Sequence, residues 1–311
     1  MISDVIVSIA KSLSRNGFSR RAGGAAAVLV LVATVLVSLS APAEAEITDE
    51  RRSFWGVEGL GPSTTTNVRS EVWAIEQIGN TIYVAGRFTH VVGGPNQYDQ
   101  PYLAAFHGDT GKWIEWWRPS INAPIYALEA SPDGSRLFVG GEFTSVNGQP
   151  ASGVVALDPA TGDIDPAWPV SVGGSSANVR TFDIEGQWLY LGGGFSSITS
   201  GGTNESAYRA AKVNWATGAV ASSFKPIVQG GGVWGIDASS SSDRVYLAGL
   251  FDSVNLEPDT EAVAYVAATT GAQIAGLQKF EKNNNGRNYA HDVVSVNGLV
   301  FIGGSEHYLN V

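Results

Sequence analysis

Two sequence markers recur along this chain at one shared spacing, and no other feature constrains its folding as much. The first is a strand-like run ending in Gly-x-Phe, with phenylalanines at Phe88, Phe143, Phe195 and Phe251, so the steps are 55, 52 and 56 residues. The second is a Thr-Gly pair ending at Gly111, Gly162, Gly218 and Gly271, with steps of 51, 56 and 53. Units of this kind cannot bury their apolar faces alone and must stack on their neighbours. A repeat of this length, rich in short β-type runs, is the size of a four-stranded propeller blade.

Composition agrees with an all-β chain. Glycine supplies 38 of the 311 residues and charged residues only 15%, against about 25% charged in an ordinary domain. Gly, Ser, Thr and Asn alternate with Val, Ile, Tyr and Trp, which suits short strands and tight turns. There is no cysteine, so disulfides, thiolate nucleophiles and cysteine-ligated zinc are excluded. The net charge of −10 repels phosphate backbones and argues against nucleic acid as a partner.

The first 45 residues read as an address. Lys11, Arg15, Arg20 and Arg21 precede Ala25–Leu39, an apolar run of 15 residues without a charge. Ala43-Glu44-Ala45 and Ala41-Pro42-Ala43 both fit the small-x-small pattern of a cleavage site. Residues 1–45 are therefore expected to be a hydrophobic signal helix, either cleaved or kept as a membrane anchor. That anchor would be the only membrane contact, and the remainder would be extracellular or at the cell surface.

The second repeat is the clearest. Ile125-Tyr126-Ala127-Leu128 makes a first strand, and Ser131-Pro132-Asp133-Gly134 a turn. Leu137-Phe138-Val139-Gly140-Gly141 returns antiparallel. Val154-Val155-Ala156-Leu157 is a third strand, Asp158 to Gly162 a turn, and Asp163 to Trp168 a fourth segment stopped by Pro169. The expected blades are about 72–123, 124–176, 177–230 and 231–288, with a partial fifth at 289–311 and a linker at 46–71. Ending inside the fifth copy points to the front part of a longer protein. The alternative is that Ser53-Phe54-Trp55-Gly56-Val57 supplies a closing strand.

The string from Pro132 to Gly148 resembles the bacterial delta-60 repeat and is similar to the kelch-like propellers of fungal cortical polarity markers. The resemblance implies propeller domains of secreted and surface proteins. It carries over no catalytic residues.

Most of the 31 aromatic residues fall at repeated places, Tyr83, Phe138, Tyr190, Tyr246 and Phe301 among them, and read as core. One position differs. Trp73, Tyr126, Arg180, Trp234 and His291 align in the first strand of each copy, inside a frame that otherwise hardly varies. The first strand lies nearest the central channel, so these five are the candidate ligand-binding residues. A ring face and an arginine fork suit a sugar or an acidic glycan, and the acidic charge favours a neutral or short ligand.

No metal and no cofactor is expected. The four histidines lack metal-ligand spacing, and the acidic run from Asp158 to Asp165 lacks that of a calcium loop. Three readings follow: a non-catalytic surface module that contacts protein or glycan, a channel-mouth enzyme of quinoprotein or lyase type, and a structural segment of a larger adhesin.

Overall fold

A computed structural model describes residues 55–59, 70–239, 242–274 and 288–306. The segment read as an export signal lies outside the described residues. The described chain is all-β, apart from one short 3-10 turn at Pro258–Thr260, and no helix in it is long and apolar enough to cross a membrane.

Four three-stranded antiparallel sheets follow one another, each with its second strand in the middle. In the second repeat, Leu137–Gly141 lies between Ile125–Ala130 and Val154–Leu157. The other middle strands are Thr81–Arg87, Trp188–Gly193 and Arg244–Val254. A fifth pair, Asn288–Val296 with Leu299–Glu306, comes last. First strands of successive repeats stand side by side in chain order. Stacking covers both faces of the inner sheets, so Leu137 to Gly141 and Val154 to Leu157 are buried at every position. That is why these runs are continuously apolar rather than alternating.

The expected fourth strand is reduced to a single bridge in each repeat. The bridges are Phe106–Trp113, Leu157–Ile164, Val213–Val220 and Val266–Gln273. The segment turns away at once: the amides of Trp117, Trp168 and Phe224 donate to the carbonyls of Ile114, Asp165 and Ala221. Pro119, Pro169 and Pro226 then follow and cannot donate to a ladder.

Both letters of the Thr-Gly marker have a local cause. The threonine Oγ1 atoms of Thr110, Thr161, Thr217 and Thr270 accept from the amide two residues on, at 3.2–3.3 Å. Gly162, Gly218 and Gly271 adopt φ of 74–78°, where a side chain is strained. They also receive the preceding repeat. A Cβ on Gly162 would lie 3.2 Å from Pro119, and one on Gly271 would lie 2.5 Å from Pro226. The exit aromatics pack edge-on or tilted against middle-strand rings: Tyr83–Trp117 at 5.0 Å, Phe138–Trp168 at 4.9 Å and Tyr190–Phe224 at 5.6 Å. Phe88, Phe143, Phe195 and Phe251 are all buried.

A smaller hairpin between the second and third strands pairs with the chain arriving from the previous repeat. Val170–Gly173 runs along Ser197–Ser200, and Ile121 bridges Val146. Trp55–Glu58 takes this same place on His90–Gly93 of the first repeat. Of the segment considered as a closing strand for the last copy, Trp55–Val57 pairs with the first repeat, and Ser53 and Phe54 lie outside the described residues.

Candidate functional site

The five varied residues occupy one structural device, repeated in every copy. In the second repeat Gly141 pairs with Ile125 and Gly140 with Ala127, so Tyr126 has no residue opposite it. Trp73, Arg180, Trp234 and His291 are skipped in the same way. Each is the extra residue of a β-bulge, which leaves the ladder and is re-aimed.

The Gly-x-Phe glycine is the other half of the device. A Cβ on Gly86, Gly141, Gly193, Gly249 or Gly304 would stand 2.1–2.5 Å from the carbonyl oxygen of Glu71, Pro124, Asn178, Gly232 or Tyr289. Only glycine lets the bulging strand approach this closely. The repeated glycine thus lies against the backbone that leads into the varied residue.

Side by side, the bulge residues form one row. Trp73 stacks on Tyr126 with centroids 5.0 Å apart and planes at 26°. The Arg180 guanidinium carbon lies 4.2 Å from the Tyr126 centroid and 5.6 Å from that of Trp234. Trp234 stacks on His291 at 5.3 Å and 30°. Such cation–π contacts stabilise by about 0.5–1 kcal/mol at exposed places and more when desolvated. His291 is exposed and the other four are half-buried. Tyr126 and Trp234 each have a neighbour in the row on both sides, so their faces are occupied by side chains rather than open to a sugar.

In the first two copies the middle residue of Gly-x-Phe flanks the row, and Tyr289 does so in the last, which the sequence reading missed. Arg87 lies 5.7 Å from the Trp73 centroid and pairs with Glu71 at 2.9 Å. The Tyr126 hydroxyl donates to Glu142 Oε1. Burial pushes the Tyr126 hydroxyl pKa up, and the Glu142 bond adds to the shift. Tyr289 meets Trp234 and His291 edge-on, at 5.8 and 4.9 Å. The signal available in the sequence was that x changes charge while Gly and Phe stay constant.

Other singled-out residues serve local structure. Asp158 Oδ1 accepts from the amides of Ala160 and Thr161, at 2.6 and 3.2 Å, capping its own turn. His90 contacts Thr89 Oγ1 and faces Asp99 at 3.0 Å. A separate cleft of about 330 Å³ between the third and fourth repeats is lined by Glu185, Trp188, Tyr190, Lys212 and Asp243. There the buried Lys212 donates to the Ala268 carbonyl at 2.8 Å, and burial lowers its pKa against the opposing pull of Asp243.

A search of curated proteins finds no match. Among solved structures, the chain is similar to the extracellular domain of a one-component system, BT4673, from B. thetaiotaomicron. The identity is 13% and the TM-score 0.43, over 78% of this chain and 27% of that one. It is also similar to the computationally designed Ika8 protein, at 10% identity and TM-score 0.41, over 82% of each chain. Residues 132–167 match the family described as a domain of unknown function (DUF5122) β-propeller, the stretch that holds the clearest copy of the repeat.

Proposed function

We propose that this chain is an exported, non-catalytic propeller that acts at the cell surface as a contact module for a glycan or a protein. Its reading surface is the bulge row Trp73, Tyr126, Arg180, Trp234 and His291. One observation carries this: an otherwise constant frame uses the same bulge in each copy to aim one of four side-chain types, Trp, Tyr, Arg or His, into one row. A rigid scaffold holding variable side chains is how binding surfaces are commonly built. Among the described residues, the groups with shifted pKa are Tyr83, Tyr126, Asp133, Tyr190 and Lys212, and only Tyr126 stands in the row. Tyr190 and Lys212 share the separate cleft between the third and fourth repeats, and the row holds Tyr126 alone, so the row is read as a binding surface rather than as a set of catalytic acids and bases. Export rests on the basic and apolar N-terminal segment.

The test is a glycan array and a surface-protein pull-down run on the parent chain beside Arg180→Ala and Trp234→Ala. Binding that falls in both variants, with unfolding midpoints kept, is the expected result. Undiminished binding in both would move the function to the loops.

A further inference from the structure

Resting on that reading, we infer that the row recognises a short acidic saccharide through the carboxylate of a uronate residue, with Arg180 as the contacting group. Arg87, Arg118, Arg136 and Arg209 each donate to an oxygen of the protein. Arg180 and Arg244 bond to no oxygen of the described residues and lie only over aromatic rings, and of these two Arg180 alone is in the row. Its five N–H donors are held in a fork whose geometry matches a carboxylate.

Arg180 forms no ion pair among the described residues. Of the carboxylates beside the row, Glu71 is taken by Arg87 and Glu142 accepts from Tyr126. The rings of Tyr126 and Trp234 hold the guanidinium in place through cation–π contact. An anionic group fits an unpaired guanidinium, whereas a neutral sugar would need the faces of Tyr126 and Trp234 that neighbouring side chains occupy.

Glu142 decides the class of ligand. It is exposed, acts only as an acceptor and can take hydroxyl donors. A uronate offers a carboxylate for Arg180 and hydroxyls for Glu142 on one small frame. The net charge of −10 repels long polyanions, so the saccharide is short.

The experiment is calorimetric titration of the parent chain with trigalacturonic acid and with its methyl ester, which keeps the hydroxyls and removes the charges. The acid should bind, with the ester about tenfold weaker or worse, the size expected for losing a charge-assisted bond. Arg180→Gln should match that loss, and Arg180→Lys should recover part of it. Equal binding of acid and ester overturns the inference, and so does unchanged acid binding by Arg180→Gln. The ester comparison uses the parent chain alone, so it stands if a variant misfolds. Failure of the acid to bind overturns the inference while leaving the reading surface intact, provided the array still shows ligands sensitive to Trp234→Ala. Stronger competition by triglycine with a free carboxylate would assign the row to peptide ends and also overturn it.

Discussion

Phe138 and Phe301 hold the same place in the middle strands of their repeats, yet Phe138 is 0% exposed and Phe301 is 55% exposed. The strands around them read alike, Leu137-Phe138-Val139-Gly140-Gly141 beside Val300-Phe301-Ile302-Gly303-Gly304. The difference lies in what stands beside each strand. Phe138 is covered by Trp168, and its strand is flanked on both edges. Among the described residues, Leu299–Glu306 pairs on one edge only. In a stacked repeat, burial is a property of the junction and not of the strand.

The sharpest way to break this contrast is to remove both rings. Phe138→Ala should destabilise by about 3–5 kcal/mol, as for a large aromatic cut from a core. Phe301→Ala should stay within about 0.5 kcal/mol, as for a surface change. Denaturant unfolding curves of the two variants decide it. Similar losses would mean that the last pair is packed in solution.

The glycines beside these rings refine the comparison on a smaller scale. A Cβ on Gly140 would lie 2.9 Å from the Phe182 ring of the next repeat, whereas one on Gly303 would meet nothing within 4 Å. Gly140→Ala should therefore cost about 1–3 kcal/mol through overpacking. Gly303→Ala should leave the unfolding midpoint almost unchanged, and a comparable shift for both would refute the junction account.

Tyr83 fills the same place in the first repeat and adds a hydroxyl, which donates to the Pro159 carbonyl of the next repeat at 2.7 Å. Tyr83→Phe should cost only about 0.5–1.5 kcal/mol, the net worth of one hydrogen bond. Burial pushes the Tyr83 pKa from 10.0 up to about 12. The folded state thus holds this proton more tightly than the unfolded one. Its contribution is complete below pH 10 and fades as pH rises through about 12. Thermal midpoints across that window should fall less steeply for Tyr83→Phe than for the parent, and parallel curves would show that this tyrosine does not report the junction.

Repeat length, the two markers and the aligned row of varied residues were all legible in the chain, because each depends on nearest neighbours in sequence. Gly86 and Trp73 were both readable as special positions. That they form one bulge was not, because the bulge exists only once Glu71–Ile78 and Thr81–Arg87 are paired in register. The reduction of the fourth strand depends on a turn that competes with a ladder, and sequence pattern does not rank those two outcomes.

The sequence alone determined that the chain is a stack of like β units, because glycine, threonine and alternating apolar residues act locally through dihedrals and hydrogen bonds. Only the tertiary structure decided which rings are buried, where Trp55–Glu58 pairs, and that the row packs its rings against Arg180. Those outcomes depend on what the neighbouring repeat brings into contact, and no single repeat encodes its neighbour.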